Sequence, residues 1–144
     1  MPATGAAIAG IGVDRIVIAR VAGALARHGE RFIARTFTEA EAEQARARGN
    51  PARRYAMLFA AKEAVAKALG TGFRQGVAMR HIETLHLPSG QPVVRLHAGA
   101  KRAARRLGVA RVHVSLTDDD GVAMAFAVAE RGENACAIGT CEVA

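Results

Sequence analysis

Two carboxylates stand out in this 144-residue chain by what surrounds them. Asp14 closes the apolar run of residues 8–13 and precedes a segment carrying Arg15, Arg20 and Arg27. At such a junction a carboxylate either offsets the dipole of the helix that starts there or gives one oxygen to a hard cation. Glu63 stands in Ala60-Ala61-Lys62-Glu63-Ala64-Val65-Ala66-Lys67. A Lys–Glu pair on a helix is commonly a solvated face, but this stretch is apolar nearly all round, as in a buried helix. A buried helix keeps a carboxylate only when something pairs with it. Glu63 and Lys67 have helical i, i+4 spacing, so they share a face and can reach one polar site. Leu69-Gly70-Thr71-Gly72 follows. Gly-x-Gly with a threonine is either a plain helix stop or a turn that offers N–H groups and a hydroxyl to phosphate oxygens. It has neither the Lys-Ser/Thr pair of a P-loop nor the Gly-x-Gly-x-x-Gly dinucleotide spacing.

These residues need elements to hold them. Residues 8–13 read as a buried strand and 16–28 as a helix, with Ile16, Val17, Ala24 and Leu25 at helical spacing. Thr38-Glu39-Ala40-Glu41 has the form of a capping box and starts a second helix. Gly49-Asn50-Pro51 breaks it, and an Ala-, Leu-, Lys- and Glu-rich helix spans 52–69, ended by Gly70. Strands over 81–87 and 92–97 flank the turn Pro88-Ser89-Gly90-Gln91. A basic helix covers 100–107, closed by Gly108, and strands over 112–116 and 122–129 flank Asp118-Asp119-Asp120-Gly121. The order β-α-α-α-β-β-α-β-β with antiparallel hairpins predicts an α+β fold. It is a single domain over residues 1–130, an antiparallel sheet with a long buried central helix, followed by a flexible tail over 131–144.

Composition narrows the function. About half the residues are apolar, against disorder, and no apolar run approaches a membrane span. Met1-Pro2-Ala3-Thr4-Gly5 has no basic region of the kind that opens a signal peptide, so a cytoplasmic protein is expected. The formal charge of +7 attracts polyanions, whether nucleic acid, membrane, phosphorylated small molecule or acidic protein. Five Phe and Tyr55, with no Trp, give few stacking platforms for single-stranded nucleic acid. Cys136 and Cys141 have a spacing open to a disulfide or half a metal site, and are expected as free thiols in the tail. His81, His86 and His97 lack the spacing of zinc ligands and are expected as exposed strand residues.

Three blocks then stand in order: Gly10-Ile11-Gly12-Val13-Asp14 with Ile18-Ala19-Arg20-Val21; Phe59-Ala60-Ala61-Lys62-Glu63-Ala64 running into Lys67-Ala68-Leu69-Gly70-Thr71-Gly72; and Val112-His113-Val114-Ser115-Leu116-Thr117-Asp118 leading to the alanine-rich stretch 123–129. Together, over residues 8–130, they resemble the holo-acyl-carrier-protein synthases. The resemblance implies a 4′-phosphopantetheinyl transferase-like fold and an enzyme serving fatty acid biosynthesis. Its reaction would move 4′-phosphopantetheine from coenzyme A to a serine of acyl carrier protein and release 3′,5′-ADP. It further implies a Mg²⁺ held by Asp14 and Glu63, which would also be the catalytic residues. Coenzyme A phosphates would be touched by Lys67, Gly70, Thr71 and Gly72. An acidic carrier helix would dock on Arg20, Arg27 and Arg31, and the assembly would be a homotrimer with active sites between subunits, with no part for nucleic acid or membrane. An acidic partner suits an Arg-rich protein without stacking aromatics.

Two positions depart from the family pattern: Leu58 stands where many members carry Arg, and Asp118 where many carry His. Arg54 lies one turn before Leu58 on the same helix face, where it is either a solvated residue or a replacement for the missing coenzyme A phosphate contact. That face points nearly opposite to Glu63 and Lys67, so Arg54 would serve a ligand held by a neighbouring chain. Two other readings stay open from the residues alone. One is a basic α+β module that binds without chemistry; the other is a phosphotransferase with the same Mg²⁺ site and a different donor.

Overall fold

The computed structural model describes residues 7–132. The chain runs β1 (Ile8–Val17), α1 (Ile18–His28), α2 (Glu30–Thr36), α3 (Glu39–Arg46), α4 (Pro51–Ala68), a 3₁₀ turn (Met79–His81), β2 (Ile82–His86), β3 (Pro92–Leu96), α5 (Ala98–Leu107), β4 (Val109–Asp119) and β5 (Val122–Arg131). The α+β fold is as expected, but the strands form two sheets. β5 lies between β1 and β4 in one antiparallel sheet, and β2 pairs with β3 as a separate hairpin.

α4 is the axis of the molecule. Asn50 caps it by accepting from the Arg53 N–H, and Pro51 fits its first turn, where no N–H is needed. The helix packs on β1, β5, β4, α1, α3 and β2, so it is covered nearly all round. The sheet lets it come close by presenting small residues. On β5 the inward positions are Ala123, Ala125, Ala127 and Ala129, all buried. On β1 they are Gly10 and Gly12, where a Cβ would overlap the carbonyl oxygens of Ala68 and Ala64 respectively. The Gly-Ile-Gly motif is therefore a close strand–helix contact. The next inward position of the strand is Asp14.

Several boundaries differ from the sequence reading. β1 does not stop at Val13: it pairs with β5 as far as Val17 opposite Val122, and the Ile18 N–H donates to the Gly121 carbonyl. Asp14 thus sits inside a strand, opposite Ala125, and offsets no helix dipole. Gly29, at φ 48°, ends α1 and starts α2, a helix not expected from the sequence. The β4–β5 turn is the two residues Asp120 (φ 50°) and Gly121 (φ 76°), the positive-φ pair that a tight hairpin with right-handed twist requires. The Thr38–Glu41 capping box forms as expected, with the Glu41 N–H on Thr38 Oγ1 and the Thr38 N–H on Glu41 Oε1. Arg131, assigned to the tail, ends β5; its N–H donates to Ala7 O and its Nε to Leu107 O. The rest of that segment, with Cys136 and Cys141, lies outside the described residues.

The β1–α4 contact generates a stability prediction. Gly12→Ala should cost at least about 1–3 kcal/mol in urea denaturation, since the neighbour is backbone and cannot fold aside. Gly49→Ala, with open space around it, should stay within about 0.5 kcal/mol of wild type.

Candidate active site

The strand–helix contact brings Asp14 against α4. Lys67 Nζ donates to Asp14 Oδ1 at 2.9 Å and to the Val13 carbonyl at 2.9 Å. Glu63, one turn earlier on the same face, is half-buried. Its carboxyl is held above its usual 4.5 by burial first and by the charge of Asp14 second, against the pull of Lys67. No hydrogen-bond donor among the described residues reaches it. Two carboxylates therefore repel each other across one ammonium, an arrangement that a hard cation relieves. Among the described residues no cluster of three or more His, Cys, Asp or Glu gathers. A cation at Asp14 and Glu63 would thus take its remaining oxygens from water and substrate, which is how Mg²⁺ binds beside phosphates. The residues fit that ion.

The glycine turn behaves otherwise than expected. Its N–H groups all point back into the helix: Gly70 donates to Lys67 O, and Thr71 and Gly72 both donate to Ala66 O. The Thr71 hydroxyl donates to Gly72 O at 2.8 Å. As a donor cradle for phosphate the turn is already engaged. What it offers is space: Gly70 (φ 72°) and Gly72 (φ 54°) have nothing beside them where a Cβ would stand.

Lys62 settles between the two readings of the Lys–Glu pair. The Lys62–Glu63 pair is not a solvated face, because adjacent helical residues diverge by about 100°. Lys62 is fully buried and donates to Glu41 Oε1 (2.7 Å), Met79 O (3.0 Å) and Ile82 O (2.5 Å). Three acceptors match the three N–H bonds of an ammonium. Burial pulls the Lys62 ammonium down and pushes the Glu41 carboxyl up, and their contact opposes both shifts. Glu41 also accepts from the Thr84 N–H, so the pair ties α3 and α4 to β2. The invisible signal was Glu41, whose second role beyond capping cannot be seen in a linear pattern.

Arg20 and Arg27 line a cavity of about 500 Å³ with Ile16, Val21, Phe32 and Phe59. Arg31, expected to join them in docking the carrier, lies on α2 beside Phe32, His28 and Arg35. The two depressions share Phe32 and form an apolar floor with an arginine rim. All three arginines are exposed, and no carboxylate among the described residues pairs with them. Phe59 is one turn before Glu63, and Ile16 is two strand positions after Asp14. The groove therefore abuts the carboxylates. Phe59 was missed in the sequence because a Phe in an apolar helix reads as core, and Phe32 because no element was read over residues 29–37.

Across α4, Leu58 is a core residue packed with Val21, Tyr55 and Met57. Arg54, on that same side, is buried and faces a different cavity, away from Glu63 and Lys67. Asp118 pairs with Arg53 through two hydrogen bonds of 2.9 and 2.5 Å, which hold its carboxyl below the usual range. The histidines are not a set of exposed strand residues. His81 lies in the 3₁₀ turn and accepts from the Ala78 N–H, His86 is half-buried against Arg54, and only His97, just after β3, is exposed.

The 4′-phosphopantetheinyl transferase superfamily matches residues 10–127. A holo-(acyl-carrier-protein) synthase of Methylobacterium radiotolerans is 51% identical over 127 residues, covering 85% of this chain and 93% of its own length. The chain belongs to the holo-(acyl-carrier-protein) synthase family. The crystal structure of the Neisseria meningitidis synthase superposes with a TM-score of 0.79 at 35% identity, covering 86% of this chain and 99% of that one. A Bacillus anthracis synthase in complex with coenzyme A (3′,5′-ADP) gives 0.73 at 30% identity, covering 88% and 100%. The protein is thus a phosphopantetheinyl transferase, and the module without chemistry is set aside.

In this transferase Lys62 should be a structural residue. Lys62→Met leaves a buried carboxylate unpaired and should cost about 3–5 kcal/mol, read by urea denaturation. Adding Glu41→Gln should return part of that loss, which a directly catalytic lysine would not predict.

Proposed function

We propose that this transferase moves 4′-phosphopantetheine from coenzyme A to a serine of acyl carrier protein, with Mg²⁺ held by Asp14 and Glu63. The observation that carries the reading is the convergence of Asp14, Glu63 and Lys67 at the end of an arginine-rimmed groove. Asp14 and Glu63 supply two charged oxygens to the ion. Bound there, Mg²⁺ would offset charge on the coenzyme A diphosphate and on the leaving phosphate. Lys67, exposed and anchored by Asp14 and Val13, is the cation that contacts a phosphate oxygen. Gly70 and Gly72, on either side of Thr71, leave open space through which the ligand can approach the backbone of this turn. The serine oxygen bonds to the β-phosphorus as its proton passes to Glu63 or to water, the bond from that phosphorus to the bridging oxygen breaks, and 3′,5′-ADP leaves with that oxygen.

Arg20, Arg27 and Arg31 supply the rim on which an acidic carrier helix docks, with Phe32 and Phe59 below for its apolar side chains. Such a helix directs its serine toward Glu63. The outer face of the β1–β5–β4 sheet supports a homotrimer. Ile11, Val13, Val17, Met124 and Phe126 are exposed there, with Ile11 at 63%, and Val13 is opposite Phe126. A contiguous apolar face of this kind is an assembly surface, and it would bring active sites to subunit boundaries. No helix among the described residues is long and apolar enough to cross a membrane. A cytoplasmic enzyme of fatty acid biosynthesis accords with this reading, and it needs neither nucleic acid nor membrane.

The direct assay incubates the protein with coenzyme A, Mg²⁺ and apo-carrier, then weighs the carrier. A metal-dependent gain of one phosphopantetheine is expected; a gain only with another donor would favour the rival phosphotransferase. Glu63→Gln and Asp14→Asn should each remove most turnover while circular dichroism stays native. Near-normal transfer by either at saturating Mg²⁺ would refute the metal assignment. Charge reversal at Arg20, Arg27 or Arg31 should raise KM for carrier and leave KM for coenzyme A nearly unchanged, and added salt should mimic it in wild type. Sedimentation of an active monomer would end the trimer reading.

A further inference from the structure

Gly23 sits in the middle of α1, where glycine is a poor choice. A glycine inside a helix gives up more backbone freedom than alanine and weakens the helix. Glycines at the turns and caps, such as Gly29, Gly70 and Gly108, have positive φ, and a Cβ at Gly10, Gly12 or Gly99 would overlap a neighbouring carbonyl oxygen. Neither reason applies to Gly23. Its φ is not positive, and the three atoms nearest to where its Cβ would stand all belong to one guanidinium: Arg27 Nη1 at 3.2 Å, and Cζ and Nη2 at 3.8 Å. Long helical side chains lean back over the residue one turn earlier, so Arg27 lies along α1 above Gly23. That surface is a wall of the groove, shared with Ala19 and Ala24 and opposite Phe32 and Phe59. Arg27 is exposed, and no carboxylate or hydrogen bond among the described residues holds it there.

Nη1, Cζ and Nη2 all come close to the same point, so the guanidinium lies across the helix surface and its place is set by the hollow rather than by a polar partner. We propose that Gly23 is a positioning residue: by lacking a side chain it seats the Arg27 guanidinium low on the groove wall, oriented in advance for a carboxylate of the docking carrier helix. This rests on the reading of the groove as the carrier dock. An arginine free to swing loses that freedom on binding, and ordering one such side chain costs roughly two- to tenfold in affinity. A fork already held in place keeps its paired N–H groups ready for a carboxylate. A methyl group at position 23 would press on Nη1 more closely than ordinary van der Waals contact allows, and the flexible side chain would lift away from the wall. Arg20 has no such seat, since the residue four before it, Ile16, belongs to β1. Gly23 thus gives up helix stability in favour of a prepared cation.

The experiment is a double-mutant cycle on the full chain. Gly23→Ala, Arg27→Ala and the double variant are assayed with coenzyme A, Mg²⁺ and apo-carrier, beside urea denaturation and NMR relaxation of the Arg27 Nε–H. Gly23→Ala should raise the urea midpoint, as helix propensity requires. It should nevertheless raise KM for carrier about two- to tenfold, with KM for coenzyme A and kcat nearly unchanged. The order parameter of the Arg27 Nε–H should fall in the same variant. In the Arg27→Ala background, Gly23→Ala should leave carrier KM within about twofold, because the side chain it positions is gone. An unchanged carrier KM in Gly23→Ala would overturn the proposal. So would an equal rise in both backgrounds, which would make Gly23 a matter of groove volume, or a lowered urea midpoint, which would make it a packing residue. If Arg27→Ala alone left carrier KM unmoved, the docking role of Arg27 would fall, and the proposal with it. Wild-type protein that transfers nothing would strike the transferase reading itself, and with it everything built on the groove.

Discussion

The contact on which the structure depends is the approach of the β1 backbone to α4, where Gly10 and Gly12 meet the carbonyl oxygens of Ala68 and Ala64. Elsewhere a helix packs on a sheet through large side chains; here both surfaces are stripped to Gly and Ala. Ala60, Ala61, Ala64 and Ala68 on the helix face Ala125, Ala127 and Ala129 on β5. Such an interface gains from many close atom pairs rather than from a few bulky residues. It also sets a distance. With the strand held this near, Asp14 reaches Lys67 directly and repels Glu63. A larger residue at position 12 would separate the two halves of the site before it disturbed any functional side chain.

Covering α4 on all sides creates a second constraint, because its polar residues must each escape desolvation in a different way. Lys62 does so internally, through Glu41 and two carbonyls. Glu63 does so only in part: burial first, and the Asp14 charge second, raise its carboxyl against the pull of Lys67. Arg54 is left with His86, which can give it one acceptor and no charge. The three residues thus form a series from fully satisfied, and structural, to unsatisfied, and available to a ligand.

What could be read in the sequence was local. The Thr38–Glu41 capping box, a long helix after the Gly49-Asn50-Pro51 break, a hairpin at the Asp118–Gly121 segment and the shared face of Glu63 and Lys67 each depend on residues a few positions apart, and each is found, with the helix starting one residue earlier and the turn narrowed to Asp120-Gly121. What failed depended on partners far along the chain. β1 continues through Asp14 to Val17 because β5 pairs with it, which no pattern in residues 8–28 reveals. Lys62 is structural because Glu41, Met79 and Ile82 close around it. The Gly70-Thr71-Gly72 turn is a local case instead: its N–H groups are taken by Lys67 and Ala66, the helix stop that the sequence left open beside a phosphate-binding turn. The Gly-x-Gly of β1 read as part of a motif, and its packing role needed the helix opposite.

Strand alternation then links the site to the assembly face. Along β1 the inward positions Gly10, Gly12 and Asp14 serve α4, while Ile11 and Val13 point outward with Phe126 and Met124 of β5. Lys67 holds the strand at two adjacent points, the Asp14 carboxylate and the Val13 main-chain carbonyl. A shift of β1 in response to pressure on its outer face must therefore move an acceptor of Lys67 and the carboxylate beside Glu63 together. For a strand this short of side-chain bulk on its inner face, packing against α4 cannot absorb the movement. The outer face of the sheet and the carboxylate pair are mechanically one element, so whatever covers Ile11, Val13 and Phe126 also steadies the geometry of Asp14.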